Sequence, residues 1–222
     1  MIAFLLLLQA ATTPAGPPSP VNPTARRFDA CAALVKTDAA AAVAEGERWS
    51  RESGGGLPAR LCVGLAYVAQ SRWAPAEIAF AQAAAQAEEQ RDGRAAGLWV
   101  QAANAALAGD DAAKARADLD RAIALPVLSD VMRGEAYLDR ARAGVALGDL
   151  ATARGDLDQA VKLVPNDPLG WLLSAALARR QGDHARAVRD LASARTLDSG
   201  APEISEEAAR IAAMPTPPAS GR

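Results

Sequence analysis

The two cysteines, Cys31 and Cys62, are the residues whose type and spacing most directly suggest chemistry. In an oxidising compartment such a pair favours a disulfide, which would close a loop of about 30 residues and stabilise the fold by a few kcal/mol. In a reducing compartment we expect two buried free thiols, since cysteine behaves as a small apolar residue. One pair of thiols makes a poor metal site, because structural metal sites need more ligands.

Acidic residues recur in the second half of the chain and could in principle form carboxylate pairs for acid–base catalysis. They are Asp118, Asp120, Asp156, Asp158 and Asp190. Arginines lie near them at helical spacing, at positions 116, 121, 154 and 189. Catalysis by two carboxylates needs a cleft between them, which a convex helical surface lacks. We therefore predict solvent-facing aspartates that pair with these arginines.

The remaining candidates for chemistry are a single histidine and a run of three glycines. His184 follows Gly182 and Asp183 in a predicted turn, and no partner for proton transfer or metal binding stands beside it. The glycines at 54–56 lack the Lys-Ser/Thr of a phosphate-binding loop and any preceding strand. The sequence predicts no catalytic residue, no metal site and no cofactor, so we expect a protein that is not an enzyme.

The N-terminus resembles an export signal. Residues 1–15 contain an apolar core, Ile2 to Leu8, followed by small residues, although no Lys or Arg precedes the core. The core is too short to cross a bilayer as a helix, so no stable membrane span is expected. We predict a signal peptide and a periplasmic or secreted protein. The alternative is a cytosolic protein with an apolar N-terminal end.

Composition favours helices throughout the region between two proline-rich ends. Half of the residues are apolar, and most of these are alanine, the best helix former. Residues 16–25 predict a disordered tether and residues 214–222 a disordered tail. The formal net charge is −2, with acids and bases interspersed, so we expect no nucleic-acid partner.

A repeated pattern of small residues organises the folded region, predicted for residues 26–213. Alanines recur 34 to 39 residues apart, each followed four and seven residues later by further residues of the same helical face. These key alanines are Ala42, Ala76, Ala115, Ala153 and Ala187. Three copies carry an aromatic residue sixteen positions before the key alanine, namely Trp99, Tyr137 and Trp171. Breaks such as Gly148-Asp149 separate two helices in each copy.

This pattern resembles the tetratricopeptide repeat (TPR), a helix–turn–helix unit of 34 residues. The copies that match best read YLDRA…ALGDLATARGDLDQAVKLVP and WLLSA…ARRQGDHARAVRDLASA. The resemblance implies an all-α fold, a right-handed superhelical array of about five TPR-like helical hairpins plus a C-terminal capping helix. The repeats are expected at about 23–56, 57–95, 96–133, 134–167 and 168–201, with the cap at 202–213. Ordinary antiparallel hairpins without the TPR register are the alternative.

The resemblance also implies a concave groove, lined by the first helix of each hairpin, that takes a protein or peptide ligand. The register places these polar candidates on the groove side: Arg27, Gln101, Asn104, Asp139, Arg142, Arg179 and Arg180. Each could instead be a solvated residue of an amphipathic helix. The set does not reproduce the Lys and Asn residues with which some TPR proteins clamp a C-terminal carboxylate.

These features predict a non-catalytic scaffold or adaptor for protein–protein interaction in the bacterial cell envelope, in the periplasm. One alternative is an accessory subunit of an enzyme complex that assembles peptidoglycan or the outer membrane. Another is a cytosolic TPR adaptor, if the leader is not functional. Fold alone does not fix function, and the partner is not specified by the repeat pattern.

Overall fold

A computed structural model describes residues 22–52 and 55–215. The predicted signal peptide and most of the predicted tether and tail lie outside these residues. Within them all regular structure is helical. The helices are α1 (Pro23–Thr37), α2 (Ala39–Arg51), α3 (Gly56–Ala69), α4 (Trp73–Glu89), α5 (Ala95–Ala108), α6 (Ala112–Ala124), α7 (Asp130–Ala146), α8 (Leu150–Leu163), α9 (Pro168–Arg180), α10 (His184–Leu197) and α11 (Pro202–Ala212).

The helices form five successive hairpins, each made of an odd-numbered helix and the even-numbered helix that follows it. Each hairpin packs mainly on its neighbours in the chain, through contacts such as α2 with α3 and α4 with α5. Helix α11 packs on α9 and α10 and closes the C-terminal end. This arrangement confirms the predicted all-α array of helical hairpins with a capping helix.

Aspartate caps and left-handed residues separate the two helices of the later hairpins. The side chains of Asp149 and Asp183 accept hydrogen bonds from backbone N–H groups in the first turns of α8 and α10. Gly148 and Gly182, just before them, have φ angles of 79° and 78°. In the third hairpin this conformation falls on Asp110, with φ of 59°, and not on Gly109 before it. Aspartate tolerates the left-handed region better than most residues.

The first helix starts earlier than the predicted folded region, which began at residue 26. Helix α1 begins at Pro23, so residues 23–25, assigned to the disordered tether, are helical. The side chain of Asn22 accepts a hydrogen bond from the Thr24 N–H group, and proline suits the first position of a helix. Residues 23–25 therefore belong to a capped helix, although their proline-rich surroundings favoured a disordered segment.

Small residues bring the helices of the array into close contact. All five key alanines are fully buried, and the apolar residues four positions after them, including Leu119 and Leu157, fill the space between helices. A Cβ atom on Gly64 would lie 2.6 Å from Phe80, and one on Gly134 would lie 2.5 Å from Val164. A larger residue at either position would therefore displace the packed side chain beside it.

The two cysteines lie on α1 and α3, in the first two hairpins. Their Cα atoms are 6.1 Å apart, within the usual range for a disulfide, and their sulfur atoms are in contact. Both side chains are buried. The geometry therefore permits a disulfide between Cys31 and Cys62, and its formation stays a prediction.

We expect Ala103→Leu to destabilise the protein by about 1–3 kcal/mol, because the larger side chain overpacks a buried contact of α5. Ala108→Leu is the matched control, since Ala108 is exposed on the same helix. It should change the free energy of unfolding by less than about 0.5 kcal/mol. Urea denaturation of both variants measures the difference. Equal losses would contradict the packing described above.

Replacing both cysteines with serine should lower the free energy of unfolding by about 2–4 kcal/mol, because the bridge restricts the unfolded chain. Adding reductant to the wild-type protein should have a similar effect. A thiol count on denatured, unreduced protein provides the direct measurement. Two free thiols per chain would exclude the bridge.

Candidate partner-binding groove

Three of the recurring aspartates are buried, so the prediction that they face solvent is wrong for them. Asp118, Asp156 and Asp190 each follow a key alanine by three residues and are only 6%, 4% and 7% exposed. Three residues make almost a full helical turn, so these side chains share the buried face of the alanine. The side chains of Asp120 and Asp158 are 53% and 43% exposed, in agreement with the prediction.

Arg140 satisfies the buried carboxylate of the fourth hairpin. Its Nε atom donates to Asp156 Oδ2 at 2.9 Å and its Nη2 atom to Asp156 Oδ1 at 2.7 Å. Its Nη1 atom donates to Asp120 of the preceding hairpin at 2.7 Å. These carboxylates, Asp156 first, raise the pKa of Arg140. One arginine therefore joins three helices, α6, α7 and α8.

A second polar network joins the fourth and fifth hairpins. Arg154 Nη1 donates to Ser174 Oγ at 2.7 Å, and that hydroxyl donates to Asp190 Oδ2 at 2.5 Å. Arg186 lies between two acids, with Nε 3.2 Å from Asp190 Oδ2 and a further ion pair to Asp158. The expected pairing of Arg154 with Asp158 is present at 3.4 Å. These contacts fix α8, α9 and α10 relative to one another.

Two of the seven groove candidates line a common pocket between α7 and α9, the first helices of the last two hairpins. Arg142 and Arg180 lie at its edge, and its volume is about 240 Å³. The rest of its lining is apolar and consists of Ala141, Val145, Leu157, Leu173, Ala176 and Leu177. The seven groove residues predicted from the sequence are all polar, so the apolar floor was not predicted. The sequence feature that could have indicated this apolar floor is the run Trp171 to Leu177, which is apolar on several faces of the helix.

The other candidates have different surroundings. Gln101 and Asn104 are exposed on α5. Asp139 is mostly buried and accepts a hydrogen bond from Arg142 at 2.9 Å, and its burial raises the pKa of its carboxyl group.

Two of the candidate arginines are held by other parts of the chain. Arg27 pairs with Glu45 at 3.0 Å and also with Glu52, and it lies over the ring of Trp49. The Arg179 Nε atom donates to Glu207 of α11 at 2.6 Å. Arg179 therefore anchors the capping helix. The structure leaves Arg142 and Arg180 as the candidates gathered at one pocket.

The described residues contain no cluster of three or more His, Cys, Asp or Glu side chains suited to a metal ion. Across residues 22–52 and 55–215, no helix combines the length and apolar character that a membrane crossing requires. His184 is half-buried at the first position of α10.

We expect Arg140→Met to destabilise the protein by about 3 kcal/mol, because it leaves the buried Asp156 carboxylate without its partner. The double variant Arg140→Met/Asp156→Leu should recover most of this loss, since it removes the uncompensated charge as well. Arg189→Met on the exposed side of α10 serves as the control. Urea denaturation measures all three. A double variant no more stable than the single one would argue against a buried pair.

Comparisons with known proteins agree with the helical array. A family model described as tetratricopeptide repeat matches residues 134–177, which cover most of α7, all of α8 and most of α9. No curated protein matches the chain in sequence.

Solved structures match over most of the chain at low sequence identity. The MamA protein is 17% identical with a TM-score of 0.65, covering 87% of this chain and 98% of its own. MamA residues 41 to the end, from Desulfovibrio magneticus RS-1, are 14% identical with a TM-score of 0.66. The match covers 82% of this chain and 98% of that protein. A Podosopora anserina protein, described as a kinesin light chain with nearly identical TPR-like repeats, is 17% identical with a TM-score of 0.63. The match covers 80% of this chain and 97% of that protein. At these identities the likeness shows the fold.

Proposed function

We propose that the chain is a non-catalytic tetratricopeptide-repeat scaffold that binds a segment of a partner protein between α7 and α9. The pocket at Arg142 and Arg180 carries this proposal. There, groove candidates from two successive hairpins meet beside an apolar surface.

The chemistry of the pocket favours a particular kind of partner segment. Its lining includes Val145 and Leu173, which are only partly buried and leave apolar surface that an inserted aliphatic side chain would cover. Both arginines at the edge are exposed, and Arg180 has no ion-pair partner within the described chain. A guanidinium group pairs well with a carboxylate. The proposed ligand is therefore a segment with an aliphatic residue next to an acidic one.

The lining of the pocket also supports a binding role over a catalytic one. Its polar side chains are two arginines, and arginine is not among the side chains that commonly serve as a general acid or base. None of the other lining residues can act as a nucleophile. Binding of a protein segment requires only the shape and charge described above.

We further propose that the protein works in the bacterial cell envelope. Two features support export to an oxidising compartment. One is the signal-like segment at residues 1–15, and the other is the close approach of the two cysteines of α1 and α3 to each other. An accessory role in an enzyme complex of envelope assembly is the second candidate, and it uses the same pocket. Cell fractionation with N-terminal sequencing tests the location. An intact Met1 on protein from the cytoplasm would exclude export.

Synthetic peptides test the pocket directly. A fluorescent peptide with leucine flanked by glutamates should bind the full chain, whereas versions with Leu→Ala or with lysine flanks should bind more weakly. Arg142→Glu/Arg180→Glu should weaken binding of the first peptide by about tenfold or more, because two favourable charges become repulsive. Fluorescence anisotropy measures each Kd.

Arg189→Glu is the matched control, since it reverses an exposed arginine on the neighbouring helix α10. It should leave the affinity within about twofold, because its charge is screened over the distance to the pocket. Equal binding of the leucine and alanine peptides, or an equal loss with the control variant, would contradict the proposed site.

A further inference from the structure

The third hairpin breaks the pattern by which the array satisfies its buried aspartates. In the fourth and fifth hairpins the acid has a partner sixteen residues earlier on the first helix, in the pairs Arg140–Asp156 and Ser174–Asp190. In the third hairpin the corresponding residues are Ala102 and Asp118. Alanine offers no donor, so Asp118 is buried without the partner that its counterparts have.

The carboxyl group of Asp118 lies in a polar cluster with few donors. Its Oδ2 atom is buried and has no hydrogen-bond partner within the described residues. Glu77, reaching over from α4, is 5% exposed and places a second carboxyl group nearby. The Nζ atom of Lys114 is 3.0 Å from Glu77 Oε2, at ion-pair distance but without hydrogen-bond geometry. Two buried acids thus share one nearby ammonium group.

The other charged groups around α6 are mostly engaged elsewhere. Arg121 stacks over the ring of Trp99 with its Cζ atom 4.6 Å from the ring centre. On α7, Arg140 binds Asp120 and Asp156, and Arg133 donates to the carbonyl of Ile123. The cap Asp111 adds a further negative charge at the start of α6. Burial, and then the Glu77 carboxylate, raise the pKa of Asp118 to about 6, against opposing effects of Arg121 and Lys114.

We propose that the contact between the second and third hairpins is a pH-responsive hinge, packed when the buried Asp118 carboxyl group is neutral and loosened when that group is ionised. Ionisation places an unpaired negative charge in a buried site beside Glu77, which costs free energy. Local opening around the Glu77–Lys114 ion pair, where side chains of α4 and α6 meet, exposes the charge to water and relieves this cost. The hinge lies between the first two hairpins and the last three, so it affects how these two parts of the array sit together.

The direction of the effect follows from proton linkage. The pKa of Asp118 is about 6 in the folded protein against an ordinary value of 3.8, so the folded state holds the proton more tightly. Stability from this group is therefore full below about pH 4 and declines as the pH rises towards 6 and above. A shift of this size corresponds to a change of up to about 100-fold in the unfolding equilibrium constant.

Urea denaturation at several pH values between 4 and 7.5 tests the energetic part. The wild-type unfolding constant should rise across this range by more than that of Asp118→Asn, whose side chain stays neutral. Glu135→Gln is the control, because Glu135 is exposed on the neighbouring helix α7 and takes part in no ion pair among the described residues. It should keep the wild-type pH dependence. Identical profiles for wild type and Asp118→Asn would overturn the proposal.

Two measurements test the wild-type protein itself. Carboxyl ¹³C NMR should show an aspartate signal with a titration midpoint near pH 6, and Asp118→Asn should lack this signal. A midpoint near 3.8 for Asp118 would overturn the proposal. Amide hydrogen exchange, corrected for its intrinsic pH dependence, should show protection of α4 and α6 falling from pH 5 to 7 in the wild type only. Protection independent of pH would exclude the hinge, even if Asp118 titrates near 6.

Discussion

Close contact between helices at small side chains is the constraint on which this array depends. The key alanines are fully buried, and Gly64 and Gly134 have no room for a Cβ atom without displacing Phe80 or Val164. Each alanine buries little apolar area, so cohesion comes from many short contacts and from the larger residues between them, such as Leu119. Close packing also makes the array sensitive to volume at each contact.

The same closeness determines the electrostatics of the interior. An aspartate three residues after a key alanine is carried between the helices, where water cannot compensate its charge. Arg140 and Ser174 provide donors to such acids from the facing helix of the same hairpin. The same two residues also bind Asp120 and Arg154 of the preceding hairpin, so they link neighbouring hairpins. In the third hairpin the facing residue is Ala102, which offers no donor. The buried Oδ2 atom of Asp118 therefore has no hydrogen-bond partner among the described residues. The same structural position thus holds a hydrogen-bonded acid in the last two hairpins and an acid with an unpaired oxygen in the third.

The candidate binding pocket follows from the same packing rules. The small side chains of Ala141 and Ala176 leave room between α7 and α9, and Leu157 closes the bottom. Of two adjacent arginines on α9, the capping helix engages Arg179 through Glu207, while Arg180 faces the pocket. The capping helix therefore closes the end of the array and holds Arg179, while Arg180 stays at the edge of the pocket.

The sequence by itself determined the helices, the turns and the repeated small contacts, because these depend on spacing within one hairpin and on the local chemistry of residues such as Gly148 and Asp149. It also selected Arg142 and Arg180, yet it could not separate them from Arg27 and Arg179, which are bound elsewhere in the chain. It placed Asp118 and Asp156 in solvent, since periodicity shows which face a residue shares but not how near the next helix lies. Only the tertiary structure decided which charges are buried, which are paired and which border the pocket. Those outcomes depend on distances between helices, and the partners come from residues sixteen to twenty-eight positions apart in the chain.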